Sequence, residues 1–302
     1  MIRRPVDKIF VALTGIAVLL IIAFLAIIIG NVVQNGWTKL SWEFLSAPPK
    51  QGMTEGGIFP AIFGTVLLVV LTTIVVVPFG VCVAIYFSEY ANRSSFFYRA
   101  TRQAVDNLAG VPSIVFGLFG LGFFVMFVGR GMDRAMYGGQ LHYGQPALIW
   151  AALTMAVLTL PIMIVSVEEA LRAVPQVYRD ASYALGATRA QTIFRVVLPQ
   201  ALPGVLTGTI LAISRAAGEV APILFVGAAY FLPHLPTSFS DQFMHLGYHV
   251  FVLATQSPDV EATKPLLYAT VLVLLVLTFL LNAVAIMIRS RLRATFSAAG
   301  NR

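Results

Sequence analysis

Two charged side chains stand where a chain this apolar has little room for them. They are Arg215 and Glu219, in the segment Ser214-Arg215-Ala216-Ala217-Gly218-Glu219-Val220-Ala221-Pro222-Ile223-Leu224-Phe225. Each costs about 2.5–3.5 kcal/mol to insert at the centre of a membrane helix. Their i, i+4 spacing puts both on one helical face, in the less favourable order with the cation first. Two kinds of chemistry follow. The pair can fix helix register. Alternatively, the guanidinium can present its fork to a passing oxyanion while the carboxylate competes for it and prevents overly tight binding. Pro222 lacks an N–H and would free the carbonyl of Gly218, softening the helix beside Glu219.

Other chemistry-bearing residues make weaker cases. His245 and His249 also lie four apart, but without the intervening Glu of a metalloprotease and in a Pro-bounded stretch, so they read as solvated or loop-packing histidines rather than metal ligands. Cys82, the single cysteine, excludes an intrachain disulfide and reads as a small buried hydrophobe within an apolar run. Gly117, Gly120 and Gly122 follow no strand and read as helix-packing positions. The chain has no G-x-x-x-x-G-K-[ST] phosphate loop and no Ser/His/Asp arrangement. The expectation is a non-enzyme with no metal and no cofactor of its own.

The elements that must position Arg215 and Glu219 follow from composition. Of 302 residues, 58% are apolar and 11% charged, against about 25% charged in soluble domains. The mean hydropathy is +0.85. This excludes a soluble enzyme, a disordered chain and a disulfide scaffold, and leaves an all-α multispanning membrane protein. Six apolar runs reach spanning length, near 9–30, 61–87, 108–128, 146–167, 202–229 and 266–288, in a single transmembrane domain over 1–302. The first is uncharged over 9–33, too long for the apolar core of a signal peptide.

The net charge of +7 is unevenly placed. Fourteen of the 20 basic residues collect on one side: Arg3, Arg4 and Lys8; Arg93, Arg99 and Arg102; Arg172, Arg179, Arg189 and Arg195; and Arg289, Arg291, Arg293 and Arg302. That side is expected to be cytoplasmic, with both termini inside; a nucleic-acid partner is not. The opposite loops carry Trp37 and Trp42, suited to a membrane interface, and a long stretch at 230–265 with Asp241 and Asp259. That stretch suits either an external partner or a solvated connection.

The loop at 168–200 is long for a passive turn and patterned like structure. Asp180 is expected to cap a short helix with Ala181, Ala184 and Leu185 on its apolar face. Gly186 ends it in a left-handed conformation or permits close approach. Thr188 starts a second helix through Ile193, Val196 and Val197 to Leu198-Pro199. An exposed apolar helix of this kind suits insertion into a partner's groove.

Here the sequence resembles the permeases of ATP-binding-cassette importers, whose cytoplasmic motif is E-A-A-x-x-x-G, nine residues, then I-x-L-P. The matches are Asp180, Ala181, Ser182, Gly186, Val196, Leu198 and Pro199, with the spacing kept and Asp, Ser and Val in place of Glu, Ala and Ile. The 214–225 segment, with Gly56-Gly-Ile-Phe-Pro-Ala-Ile-Phe-Gly-Thr65 and Leu108-Ala-Gly-Val-Pro-Ser-Ile-Val-Phe-Gly117, narrows this to the A-type permeases of phosphate importers, the PstA family.

The resemblance implies a type I importer fold in the bacterial plasma (inner) membrane. It implies a homologous second permease, two ATPase subunits that bind ATP and Mg, and an extracytoplasmic phosphate-binding protein. It assigns the substrate pathway to Arg215, Glu219, Ser214 and, near the inner mouth, Arg172, although positive-inside placement also explains Arg172. It assigns ATPase coupling to Asp180, Ala181, Ser182, Gly186, Ala187, Leu198 and Pro199. Helix packing falls to the small-residue row of Gly204 and Gly208, continued by Ala212 and Ala216. Molybdate or sulfate as substrate, an ion-driven secondary transporter, or a phosphate-sensing component are the alternatives.

Overall fold

The computed structural model describes residues 5–50, 55–257 and 260–300; Arg3, Arg4, Asp259 and Arg302 lie outside the described residues. The chain runs α1 (Pro5–Gly36), α2 (Trp42–Ser46), a two-strand hairpin of β1 (Pro49–Lys50) and β2 (Glu55–Gly56), and α3 (Phe59–Ile85). The hairpin is antiparallel, with Pro49 opposite Gly56. After a π-helical turn at Tyr86–Tyr90 come α4 (Phe96–Ala109) and α5 (Ser113–Phe119). The latter continues as a π-helix over Gly120–Gly129 into α6 (Arg130–Met136). Then follow α7 (Leu148–Arg172), α8 (Gln176–Ala184), α9 (Arg189–Thr192), α10 (Leu198–Gly218), α11 (Leu246–Thr255) and α12 (Val260–Gly300).

Six of these helical stretches are long and apolar enough to cross a membrane, at Asp7–Lys39, Phe59–Tyr90, Ser113–Met136, Leu148–Arg172, Arg189–Gly218 and Thr263–Arg291. Their roles differ by burial. In α7, 67% of the most apolar window is buried, against 0% for α1 and α12. Apolar side chains left outside the protein all along a helix are at equilibrium only in lipid, so α7 is the core and α1 the periphery.

Small residues let the core helices approach closely. A Cβ on Gly204 would collide with the Ala170 side chain, and one on Gly208 would lie 2.9 Å from Ser166. Further along the same row, Ala212 and Ala216 are buried. In a bilayer, where burying apolar surface drives little helix association, such close packing holds helices together. Cys82 departs from expectation. It is exposed on α3, where lipid rather than protein supplies the apolar surroundings.

The fifth apolar run departs further. The sequence reads as one helix to residue 229, yet α10 ends at Gly218 and Glu219 is already extended, with φ −81° and ψ 133°. Pro222 therefore does not kink a continuing helix; it lies in an irregular segment. Non-helical backbone at membrane depth survives only where its polar groups are satisfied inside protein. Here they cap α7. The N–H groups of Ala147, Leu148 and Ile149 donate to the carbonyls of Val226, Asp241 and Phe239, at 2.8, 2.8 and 3.0 Å. The segment closes on itself through Ala229 N–H to Phe243 O (2.8 Å) and Phe243 N–H to Gly227 O (3.3 Å). Gly117 is required beside it: a Cβ there would lie 2.8 Å from the Pro222 carbonyl.

Candidate functional site

Arg215 lies in the last turn of α10, and its Nε donates to Glu219 Oε1 at 3.1 Å. A helix C-terminus presents unsatisfied carbonyls and partial negative charge, which a cation in the last turn offsets. The pair is thus cheaper here than inside an uninterrupted helix. It is also open, with side-chain exposures of 37% and 21%.

The packing of Gly204 on Ala170 and Gly208 on Ser166 fixes an antiparallel register of α10 on α7. Extended at 1.5 Å per residue, it sets Arg215 level with about Thr159, the middle of α7, and about 20 Å along the bundle from Arg172. The two arginines therefore do not share a site. Ser214 lies beside the pair and turns to α12: its Oγ is 2.8 Å from Ile210 O and 2.6 Å from Asn282 Oδ1. Asn282 had no signal in the sequence beyond being a polar residue in an apolar run.

The outer edge of the break is closed by α11. His245 caps it by accepting from Gly247 N–H on Nδ1 (3.2 Å), and Leu246 N–H donates to Thr65 Oγ1 of α3 (2.9 Å). A Cβ on Gly247 would lie 2.7 Å from Val220. The start of α11 thus braces the segment directly after Glu219. Both histidines are buried rather than solvated, and His245 Nε2 and His249 Nδ1 have no hydrogen-bond partner. Burial pushes both imidazoles down to about 4, so they stay neutral at ordinary pH. Asp241, which shapes the loop before them, accepts from the N–H groups of Thr237 (2.8 Å) and Ser238 (2.9 Å), which hold its carboxyl below the usual range. Among the described residues no group of three or more His, Cys, Asp or Glu is arranged to hold a metal ion.

At the arginine-rich end of the bundle a different charged network forms. Glu168, near the end of α7, accepts from Arg172 on its own helix and from Arg102 on α4. Arg179 of α8 donates to Glu89 Oε1 (2.8 Å) and to the carbonyls of Val174 (2.6 Å) and Leu171 (2.9 Å). Neither Glu168, Glu89 nor Arg102 was singled out from sequence as a site residue. Glu168 and Arg172 are legible as an i, i+4 pair, but their partners lie too far away in sequence to be read.

The loop at 168–200 is helical as expected, with altered ends. Asp180 does not cap α8, which starts at Gln176; it lies mid-helix and accepts from Gln176 Nε2 (3.0 Å). Gly186 takes φ +83°, the left-handed conformation that ends the turn without a Cβ penalty. Thr188 then caps α9 through a reciprocal box with Gln191, and Ser182 hydrogen-bonds Thr192 at 2.9 Å. Leu198 and Pro199 open α10, joining the loop rigidly to the helix that carries Arg215. The outward face is apolar and uncovered by the other described residues: Val177 and Leu185 are exposed, Leu185 at 89%. Ala181, Ala187 and Ala184 contribute little cover.

Residues 76–294 match the family model of the binding-protein-dependent transport system inner membrane component. The chain is 34% identical over 260 residues to a probable phosphate transport system permease protein PstA of Methanocaldococcus jannaschii, covering 86% of this chain and 85% of the relative. It is 32% identical over 294 residues to the phosphate transport system permease protein PstA of Yersinia pestis, covering 94% and 90%. Among solved structures, a chain of a bacterial alginate ABC transporter in complex with its alginate pentasaccharide-bound periplasmic protein superposes with a TM-score of 0.67 at 13% identity, covering 92% and 93%. That likeness carries the fold.

Proposed function

The chain belongs to the family of binding-protein-dependent transport system inner membrane components, and on that premise we propose that it is a permease subunit of an ATP-driven phosphate importer. The observation that carries the proposal is the open Arg215–Glu219 pair at a helix end halfway through the bundle. The names of the relatives support phosphate as the cargo. A guanidinium fork matches a phosphate's oxygens, and at this helix end it is the cation that offsets the partial negative charge an anion would otherwise meet. Glu219 occupies the guanidinium between passages and has to be displaced, which keeps binding weak enough for release. Ser214 lies at the same level, and its hydroxyl has to leave Ile210 O and Asn282 Oδ1 to donate to the anion.

Energy reaches this point through the loop. The exposed apolar face of α8 inserts into an ATPase subunit in the cytoplasm, with Asp180, Ala181, Ser182, Gly186 and Ala187 at the contact. ATP and Mg bind in that subunit. Its closure moves α8 and α9, and the continuous path through Leu198 and Pro199 carries the displacement into α10. A second permease of the same family completes the pathway in the bacterial inner membrane, and an external phosphate-binding protein delivers the anion to the loops around 219–245.

The test is uptake of radiolabelled phosphate by the reconstituted complex. Arg215→Ala is expected to reduce uptake to background while the subunits still co-purify. Normal uptake by a fully assembled Arg215→Ala complex would sink the pathway role. Competition by sulfate and molybdate checks the cargo; either one inhibiting as well as phosphate itself would overturn the assignment.

A further inference from the structure

A cavity of about 550 Å³ opens at the arginine-rich end, between the π-turn after α3, the end of α7 and the loop of α8 and α9. Arg93, Arg172, Arg179 and Arg189 line it with a single carboxylate, Glu89. That carboxylate is committed to Arg179 and accepts also from Ser88. Arg172 shares Glu168 with Arg102. Among the described residues, neither Arg93 nor Arg189 has a carboxylate within ion-pair reach. Arg189 is nonetheless held in place, its guanidinium 4.8 Å from the centre of the Tyr90 ring. A cation–π contact of this kind does not neutralise the guanidinium's charge.

We propose that this cavity is a cytoplasmic oxyanion site for a phosphate group, separate from the Arg215–Glu219 pathway. The lining favours an anion over a neutral ligand. Two guanidiniums lack counter-ions, one is fixed by a ring, and the carboxylate beside them is already neutralised. The occupant bridges Arg93, in the turn that leads into α4, to Arg189 at the start of α9, and so ties the helical loop to the bundle. A tied loop cannot follow the ATPase, so occupancy slows the cycle. This consequence rests on reading the loop as the coupling element; the binding itself does not. The phosphate group has two possible sources, free inorganic phosphate and the headgroup of an anionic lipid.

The experiment uses the full complex with ATPase subunits, carrying Arg215→Ala to silence the pathway, in nanodiscs of phosphatidylcholine without the binding protein. Equilibrium dialysis with radiolabelled inorganic phosphate reads binding. One phosphate per copy is expected, weakened about tenfold by Arg93→Gln, the loss of one charge-assisted bond, and partly recovered by Arg93→Lys. Retention that disappears when phosphatidylglycerol is included assigns the site to the lipid headgroup. With an intact Arg215, phosphate on the ATPase side is expected to slow ATP hydrolysis, at a concentration about tenfold higher in Arg93→Gln. Inhibition through the ATPase's own product site would be identical in both proteins. Phosphate and phosphatidylglycerol binding that are both indifferent to Arg93 would overturn the proposal. That result would leave the Arg215→Ala uptake test untouched.

Discussion

Two arginine–carboxylate clusters in the molecule are built in opposite ways. At the arginine-rich end the buried carboxylates Glu168 and Glu89 are each paired with arginine. Glu168, 3% exposed, serves two arginines, and Glu89, 8% exposed, meets an Arg179 that also satisfies two backbone carbonyls. Halfway through the bundle, Arg215 and Glu219 make one contact and stand 37% and 21% exposed. A buried carboxylate held by arginines resists rearrangement because, once opened, Glu168 or Glu89 is stranded away from water. A single open contact can be exchanged for another partner. The first arrangement builds a junction of α3, α4, α7 and α8; the second leaves a guanidinium available to a ligand.

Removing charges one at a time tests that contrast. The largest stability loss is expected for Glu168→Ala, which sets Arg102, still paired with Asp106, against an unpaired Arg172: about 3 kcal/mol, the low end of the range because both arginines reach water, read as a lower melting temperature of the solubilised chain. Arg179→Ala follows, at about 3 kcal/mol, because Glu89 and the Leu171 and Val174 carbonyls lose their donor. Gly186→Ala forces a Cβ into φ +83° at about 1–2 kcal/mol, confined to the loop, and is expected to reduce co-purification of the ATPase more than it lowers melting. Arg215→Ala is expected to change stability by no more than about 0.5 kcal/mol, although it abolishes uptake. A loss there as large as for Glu168→Ala would collapse the contrast and make the pair structural.

Acid probes the brace between these regions. Burial holds His245 and His249 at about 4 in the folded chain, against about 6.5 when unfolded. Their folded pKa values are depressed, so the unfolded state takes up protons first. Their contribution is whole above about pH 6.5 and is lost as pH falls towards about 4. Amide protection factors in α11 and in the 219–229 segment, taken against the intrinsic exchange rate at each pH, are expected to fall over that window, and His249→Leu is expected to flatten the dependence. Protection factors that stay constant between pH 6.5 and 4 would show that the histidines do not hold the brace.

Much of this was legible beforehand, and for identifiable reasons. Spans are local: about 20 apolar residues declare a membrane helix wherever they fall. The loop declared itself through spacing, and Gly186 and Thr188 take the conformations their side chains favour. The expected cap at Asp180 failed because α8 begins a turn earlier, after Pro175. The histidines are buried because α11 folds back against α3, a contact nearly two hundred residues apart in sequence that no periodicity encodes.

The sequence by itself determined a membrane protein of six spans, the family, and the isolation of Arg215 and Glu219 among apolar neighbours. Tertiary structure alone decided that α10 ends beside them. Up to residue 229 the composition favours helix, and helical hydrogen bonds would satisfy that backbone equally well. The unwound segment turns the Val226 carbonyl to Ala147 N–H at the start of α7, and the loop after it brings the Phe239 and Asp241 carbonyls to the next two N–H groups. A local preference of a fraction of a kcal/mol per residue yields to backbone groups that have no water to turn to.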